Sequence, residues 1–424
     1  MIESPFKPKS VAMASVVALC ALSVSYAQAP AQIPTQLTLE LAAEILLVRN
    51  PTILRERQNI AMARAGVVQA RLRPNPEVEL TSESYPLFES NPGPFFQNNE
   101  LIVRGGQPIE IGGKRGKRTR VAEQEVEVAQ SLLEDTIRLL KLELKTRYYR
   151  VVLAKAELEL ARQILTQFDE IIRINRSRYQ QGEISGLDLA RVETERRRFF
   201  DDVVAAELAL QNAKTALLEL LGATDLSAPF DVTETLAFRP LSVTAEQLQE
   251  QALLARADLQ ARHQQMERER RQVAVEKSLR LPNITPFFGY KRNLADNTVT
   301  FGVRWNLPVF DRNQGEVGRA MARADQAAYE VRRVELAVRS EVLRAYQAMQ
   351  AEERRVRALE SVYVQSARKA RDIAQASYRL GALDLIGFLD AERAYRETLR
   401  GYNQTLFAHQ VSIYQLEAAV GKDF

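Results

Sequence analysis

The stretch that decides the fold is the C-terminal run that begins Tyr378-Arg379-Leu380-Gly381 and ends Glu417-Ala418-Ala419-Val420-Gly421. Shifted by 199 residues, it lies without a gap on the run from Tyr179 to Gly222, so that Gly182 meets Gly381 and Gly222 meets Gly421. Glycine is the residue that most often follows the last turn of a helix. Two such glycines in register predict that the chain contains two copies of one structural plan.

The correspondence continues upstream with small gaps. Pro74-Asn75 matches Pro282-Asn283, and Gln107-Pro108-Ile109 matches Leu307-Pro308-Val309. We expect each copy to contain a helix, two strands and a helical hairpin, in that order. The predicted first copy is 28–222, with strands within 74–111 and a hairpin over 114–222. A linker over 223–242 leads to the second copy, 243–424, with strands within 282–309 and a hairpin over 314–421.

The hairpin segments have the period of a helix, because apolar side chains recur every three or four residues. In the first copy they are Leu133, Ile137, Leu140, Leu144, Tyr148 and Val151, and in the second Val331, Val334, Val338, Val342, Ala345 and Met349. No proline interrupts Lys114 to Tyr179, which predicts a helix about 100 Å long at 1.5 Å per residue. Ser185 and Asp384 are good N-caps for the returning helices.

The strand segments have a period of two. From Val299 to Val309 apolar residues alternate with small or polar ones over about the length of a tilted membrane strand. The pattern recurs from Ile284 to Lys291, and more weakly from Val78 to Tyr85 and from Leu101 to Ile111. Alternation more commonly means a half-buried sheet in a soluble protein, but the long helices favour a membrane. Four strands cannot close a barrel, since the smallest have eight, so we expect the chain to oligomerise.

The N-terminus predicts export. Lys7 and Lys9 precede an uncharged run that ends at Val24, and Ser25-Tyr26-Ala27 is typical of a signal-peptidase site. We therefore expect residues 1–27 to be a signal peptide. Cys20 is a poor lipidation site because Leu19 stands where such signals have a small residue.

Composition excludes several classes of protein. One Cys leaves no disulfide framework, and the two histidines, His263 and His409, are far apart, so we expect no metal site and no cofactor. With 58 basic and 54 acidic residues the charge is nearly balanced. No catalytic triad spacing or phosphate loop occurs, so we do not expect an enzyme.

These features together resemble the TolC-type outer-membrane efflux family over nearly the whole chain after the signal peptide. The resemblance rests on Ser377–Gly381, on Leu389–Arg393 with its continuation to Gly421, and on Arg49-Asn50-Pro51. It implies a mainly α-helical fold with a membrane β-barrel contribution. In that fold long hairpins form a periplasmic α-barrel, and four strands per chain complete a trimeric, 12-stranded barrel in the outer membrane.

The resemblance also implies partners and cargo. A homotrimer in outer-membrane lipid would dock a periplasmic adaptor, or membrane fusion protein, and an inner-membrane RND-type pump. The run Gln107–Arg115 is most similar to the cobalt-zinc-cadmium resistance branch, which implies heavy-metal cations as substrates. Two alternatives stay open: a periplasmic adaptor, which also has a long hairpin after an export signal, and the outer-membrane component of a type I secretion system.

The same resemblance implies functional residues at the far end of the hairpins. Asp188, Tyr378 and Asp390 match the family's gating tyrosine and aspartates, and Gly182 and Gly381 match the tips that contact the adaptor. Two positions depart from the family: Leu383 replaces a gate arginine and Gly387 a second aspartate.

Each gate residue also has a simpler interpretation. Asp188 fits a capping box with Ser185, Asp390 can pair with Arg393, and Tyr378 can be a packing residue.

A basic run remains, from Lys114 to Arg120, with five cations in seven residues. Export removes nucleic acid as a partner. We expect a solvated junction between strand and helix, with lipid phosphate as a second partner.

Overall fold

The structure is a computed structural model that describes residues 33–85, 88, 90, 93–94, 99–241, 243–293 and 296–424. The predicted signal peptide, residues 1–27 with Cys20, lies outside the described residues. Within these ranges, no helix combines the length and the apolar character needed to cross a bilayer.

Each half of the chain contains the same sequence of elements. The first half has β1 (Gln36–Leu37), α1 (Leu39–Arg49), α2 (Pro51–Arg71), β2 (Glu77–Glu83), β3 (Glu100–Gly106), α3 (Lys114–Gln180) and α4 (Gly186–Leu220). The second half has β4 (Asp231–Val232), α5 (Ala245–Ala255), α6 (Ala257–Leu279), β5 (Ile284–Asn293), β6 (Asp296–Trp305), α7 (Gln314–Ala358), a π-helical turn (Leu359–Tyr363), α8 (Val364–Arg379) and α9 (Leu385–Val420). β1 and β4 form a short parallel pair that joins the halves.

The four long strands form one antiparallel sheet in the order β2-β3-β5-β6. Its register places apolar residues on one face, where Val103 lies opposite Tyr290 and Tyr290 opposite Val299. The other face is polar: Arg104 and Arg304 both pair with Glu79, at 3.7 and 3.3 Å. The apolar face is exposed along the whole of β6, at Val299, Phe301, Val303 and Trp305.

The strands end earlier than the sequence pattern suggests. The alternation continues to Val309 and Ile111, but β6 ends at Trp305 and β3 at Gly106. Pro308 lies just beyond the end of β6, and proline has no N–H group to donate to a neighbouring strand. Beyond Gly106 the pairing with β5 continues only at Gln107 and at the isolated bridge between Ile109 and Ile284. The continued alternation at Leu307 and Val309 is therefore not part of the sheet.

The predicted helices are confirmed. α3 has 67 residues, which corresponds to about 100 Å. Leu144, Tyr148 and Val151 are at most 1% exposed, and Val338 and Val342 of α7 are equally buried. α3 packs on α4 and on α9, and α8 packs on α9. The result is a wall of helices in which α4 and α8 are the outer members.

The breaks between the short helices of each half repeat as well. Asn50 caps α2 and donates from Nδ2 to the Leu220 carbonyl at the end of α4, at 2.8 Å. Arg256 occupies the same place before α6 and donates from Nη1 to the Ala419 carbonyl of α9, at 3.0 Å. The two carbonyl groups stand at equivalent positions of the repeat, at helix ends that leave them without a helical partner. Two chemically different side chains thus satisfy them.

One element differs between the halves. The π-helical turn Leu359–Tyr363 interrupts the long helix of the second half, while α3 is continuous. By the 199-residue repeat Tyr363 corresponds to Ile164, which is 5% exposed, whereas Tyr363 is 58% exposed. The position that is buried in the first half is therefore at the surface in the second, at the end of the wider turn.

Candidate functional site

The candidate site is the end of the hairpins opposite the strands, where both long helices reverse. Gly182 and Gly381 have φ angles of 76° and 75°, in the left-handed region that favours glycine. Each glycine donates its N–H to the backbone carbonyl of the tyrosine three residues before it. The distance is 3.0 Å to Tyr179 and 3.1 Å to Tyr378. The two tips therefore have the same helix-ending geometry.

The returning helices begin with the predicted caps. Ser185 Oγ accepts from the Asp188 N–H at 3.1 Å, and Asp384 accepts from the Gly387 N–H at 2.9 Å. A Cβ on Gly387 would lie 2.8 Å from the Leu383 side chain and 3.0 Å from the Asp384 carboxylate. A side chain at position 387 would therefore require the Leu383 and Asp384 side chains to move.

Tyr378 lies inside the tip and joins the two hairpins. It is 5% exposed, and its hydroxyl donates to Asn175 Oδ1 of α3 at 2.6 Å. Its ring stacks on Phe388 of α9, with centroids 5.1 Å apart. The guanidinium of Arg178 lies over the Tyr378 ring, with its central carbon 5.9 Å from the ring centre. Tyr378 is thus both a packing residue and one half of a buried hydrogen bond between hairpins.

The surroundings of the Tyr378 hydroxyl favour its neutral form. Burial is the largest effect and raises the pKa of the Tyr378 hydroxyl above its ordinary value, and the Asp188 carboxylate adds to the increase. The hydrogen bond to Asn175 and the Arg178 cation act in the opposite direction. The hydroxyl therefore remains a hydrogen-bond donor at neutral pH.

Asp188 is a half-buried first-turn acid. Ser185 Oγ donates to its carboxylate at 2.7 Å, which fits the predicted capping interaction. Its carboxylate is also one of the groups that raise the pKa of the Tyr378 hydroxyl.

Asp390 is the most exposed of the three predicted gate residues. Its side chain is 65% exposed and pairs with Arg393 at 3.2 Å, as the simpler interpretation expects. In a single copy of the chain this carboxylate therefore faces solvent with a cation beside it.

Three residues near the tip were not singled out from the sequence. Asn175 is 1% exposed and anchors Tyr378, and Arg178 bonds the Tyr378 carbonyl at 3.4 Å while it pairs with Glu183 at 3.2 Å. Asn175 could have been found, because it is a polar residue in the apolar seam that contains Phe168 and Ile171.

Glu392 is the third of these residues. It is 7% exposed on α9, and burial raises the pKa of its carboxyl group, with Asp372 adding to the effect and Arg371 opposing it. Over the parts of the chain that the structure describes, no three His, Cys, Asp or Glu side chains gather to hold a metal ion.

Comparisons with known proteins agree with this architecture. The family model described as "Outer membrane efflux protein" matches residues 42–223 and 248–422. The cobalt-zinc-cadmium resistance protein CzcC of Cupriavidus metallidurans is 25% identical over 371 residues, which are 86% of this chain and 85% of that one. The nickel-cobalt-cadmium resistance protein NccC of Alcaligenes xylosoxydans is 26% identical over 68% of this chain and 65% of its own.

Among solved structures, the outer membrane protein VceC of Vibrio cholerae has a TM-score of 0.75 at 19% identity, over 91% of this chain and 96% of that one. That similarity shows the fold. The family model shows more, since its two matched segments correspond to the two halves of the structure. The chain therefore belongs to the outer membrane efflux protein family, and it is an efflux channel of the outer membrane whose helical hairpins extend into the periplasm.

Proposed function

We propose that three copies of this chain close into one duct that carries heavy-metal cations from the periplasm to the exterior. The observation that carries the proposal is the unpaired state of both edges of the structure. β2 and β6 each have a strand partner on one side among the described residues, and the exposed face of the sheet is apolar. Three sheets of four strands give 12, which is within the range of closed barrels.

The outer helices of the wall support the same assembly. On α4 the apolar residues Phe200, Val204 and Leu208 are spaced by four and are 48–62% exposed. On the other outer edge Val362 and Ile373 are 55 and 66% exposed. A head-to-tail contact that joins α4 of one copy to the π-helical turn and α8 of the next buries both rows and closes a ring.

The two rows also lie at matching heights. By the 199-residue repeat Val362 corresponds to Gln163, and the neighbouring Arg162 pairs with Glu207 of α4 at 2.7 Å. Val204 lies one helical turn from Glu207. Val362 and Val204 are therefore level along the helices, and the contact requires no shift of one copy along its neighbour.

Disulfide trapping tests this assembly. Chains with Val204→Cys and Val362→Cys together should form a covalently linked ring of three under mild oxidation, while each single variant should stay monomeric after denaturation. Leu187→Cys with Val362→Cys is the control, because Leu187 lies 17 residues along α4 from Val204, about 25 Å away. Equal crosslinking in the control pair, or none in the matched pair, contradicts the proposed seam.

The cargo is inferred from the curated relatives, two of which are named for resistance to cobalt and cadmium. Deletion of the coding sequence should lower the tolerance of the host to cobalt, zinc and cadmium salts, and restoring the chain should return it. Tolerance to organic detergents serves as the control. A deletion that alters detergent tolerance or protein secretion while metal tolerance stays constant would contradict metal efflux.

We further propose that the tips dock a periplasmic adaptor and, through it, an inner-membrane RND-type pump. The tips at Gly182 and Gly381 lie about 100 Å from the strands, where a periplasmic partner can reach them. Cysteines in place of Glu183 or Ala382, both exposed beside these glycines, should crosslink to the adaptor. Crosslinks from Ala228 in the linker region but none from the tips would refute tip docking.

The same three-fold assembly gives Asp188, Tyr378 and Asp390 a proposed role as the gate. The Tyr378–Asn175 hydrogen bond holds the second hairpin against the first, and opening the tip requires the two to separate. Tyr378→Phe, which keeps the ring and removes the hydroxyl, should raise the open probability in planar bilayers. Leu380→Ala, at an exposed tip position, is the control.

A further inference from the structure

The two strand–helix junctions differ in charge. Both α3 and α7 begin directly after a residue in the left-handed conformation, Gly113 with φ 69° and Asn313 with φ 56°. The first seven residues of α3 include five cations, whereas the first seven of α7, from Gln314 to Ala320, include one acid and one base. Because α7 begins in the same way without such a run of cations, a helix at this junction does not need them to form.

The cations oppose helix formation where they stand. The N-terminus of a helix carries partial positive charge, so basic residues in its first turns are unfavourable. Two of the five cations have partners: Lys114 donates to Asn283 Oδ1 at 2.5 Å, and Arg118 pairs with Glu110 at 2.8 Å. These two stabilise the junction itself.

The remaining three cations of the run do not stabilise the junction in this way. Among the residues that the structure describes, the side chains of Arg115, Lys117 and Arg120 form no hydrogen bond or ion pair, and neither does nearby Arg73. Arg73 and Arg115 line one open cavity of about 560 Å³. Lys117 and Arg120 follow within the next turns of α3. Four uncompensated cations thus surround the start of this helix.

The cavity lies at the edge of the apolar face of the sheet. Its lining includes Ile109, which bridges to Ile284 at the first residue of β5, and Ile284 lies opposite Trp305 in β6. Trp305 is 52% exposed, and tryptophan is enriched where a membrane protein meets the lipid headgroups. Because the hairpins extend into the periplasm from this end, the cations stand at the level of the periplasmic leaflet.

We propose that Arg73, Arg115, Lys117 and Arg120 bind the headgroup phosphates of anionic phospholipids in the periplasmic leaflet of the outer membrane. Arginine donates two parallel hydrogen bonds to a phosphate, and basic residues beside a membrane are attracted to anionic lipid. Glu110 does not repel the ligand from the cavity, because Arg118 already neutralises its carboxylate. The basic patch fixes the depth at which the sheet sits in the bilayer.

The protein has an intrinsic fluorescent residue close to the proposed lipid site. Trp305 is the only tryptophan in the sequence, so its fluorescence reports lipid at this junction alone. The purified protein in neutral detergent is titrated with brominated phosphatidylglycerol or brominated phosphatidylcholine, and quenching of Trp305 is recorded. We expect phosphatidylglycerol to bind at least 10-fold more tightly, and added salt to reduce this preference.

The variant Arg73→Gln/Arg115→Gln/Lys117→Gln should lose the preference, while quenching by phosphatidylcholine stays as in the native chain. The matched control is Arg312→Gln/Arg319→Gln at the second junction, where Arg319 pairs with Glu316, and it should keep the preference. Inorganic phosphate at millimolar concentration separates the two sources of the ligand, because a site for free phosphate would lose phosphatidylglycerol to it. A preference that survives the triple substitution, resists salt or is abolished by inorganic phosphate would overturn the proposal.

Discussion

Single residues show how the duplicated plan has been altered after duplication. His409 corresponds by the repeat to Leu210 of α4, and it is 0% exposed. Neither of its ring nitrogens has a hydrogen-bond partner, and Phe238 of the linker lies 5.1 Å from the ring. A polar ring therefore stands in a place that the first half fills with a leucine.

His409→Leu should stabilise the protein, with a larger gain at low pH. Burial lowers the pKa of the imidazole below its ordinary 6.5, an effect that Glu353 and Glu352 oppose and Arg357 reinforces. The unfolded chain thus binds a proton below about pH 6.5 when the folded chain does not, so the stability of the native chain falls as the pH decreases through that range. We expect the variant to gain about 1 to 3 kcal/mol, the cost of a buried polar group without a partner.

Thermal unfolding at pH 7.5 and pH 5.5 checks this prediction. His263→Leu is the control, because His263 is about half exposed and lies 3.8 Å from Glu335. We expect the gain in His409→Leu to exceed any change in His263→Leu at both pH values. An unaltered pH dependence in His409→Leu would show that this ring does not titrate on unfolding.

Asp390 permits a test of the proposed gate at the scale of one carboxylate. If three copies surround the axis, their repulsion at a separation of about 6 Å is roughly 0.7 kcal/mol per pair in water and greater at lower effective dielectric, so the ring favours a bound cation. Asp390→Lys should reverse cation preference in single-channel recordings, and Asp390→Asn should abolish block by divalent ions.

Asp201→Asn is the matched control for Asp390, because Asp201 is equally exposed and pairs with Arg197 on α4. It should change neither property. Selectivity and block that stay constant in both Asp390 variants would place this residue outside the aperture.

At the scale of elements, the glycines that end the returning helices allow a close approach between chain segments. A Cβ on Gly222 would lie 2.8 Å from the Arg49 carbonyl, and one on Gly421 would lie 3.3 Å from Ala255. Both glycines have positive φ, at 70° and 82°. The end of each returning helix therefore packs on the break between the two short helices of its own half.

Gly222→Ala should cost about 1 to 2 kcal/mol for the left-handed conformation alone, with a further cost from the overlap. Gly421→Ala should cost less, because its neighbours are farther away. Gly401→Ala in α9 is the control: nothing lies within 4 Å of its added Cβ, so it should gain about 0.5 to 1 kcal/mol. Chemical unfolding of the three variants ranks them, and equal costs at Gly222 and Gly401 would contradict the packing argument.

Elements were also what the sequence predicted best. The period of Val331 to Met349 and the positions of Gly182 and Gly381 predicted the hairpins, because both signals are local. The π-helical turn at Leu359–Tyr363 could not be predicted, since its residues have no special propensity and its effect is a rotation of the surface. The Asn175–Tyr378 bond spans 203 residues, and no spacing in the sequence encodes such a contact. The end of β6 was misplaced because alternation alone ignores the missing N–H of Pro308.

At the scale of the whole molecule, the sheet has two unlike faces and only one suits lipid. Val299 is 58% exposed on the apolar face near the middle of β6, and Thr298 is its neighbour on the polar face. In a closed barrel the first would face the bilayer and the second the lumen.

Val299→Arg should therefore weaken folding into phospholipid vesicles by about 2 to 4 kcal/mol, the cost of arginine near the midplane of a bilayer. Thr298→Arg should cost far less, because the lumen is aqueous. Urea titration in vesicles measures both. The reverse order would mean that the polar face meets the lipid.

The pairing of β3 with β5 at the centre of the sheet also determines the order in which the chain folds and inserts into the membrane. β3 joins β5 across nearly half the chain, with Glu100 opposite Asn293. Until the second half has been exported, the first can form a two-stranded ribbon and no more, and such a ribbon is marginally stable in water. The α3–α4 hairpin needs only near neighbours and folds early. Membrane insertion is thus a late step that waits for β5, and a chain that stops after Gly222 should remain a helical rod in the periplasm.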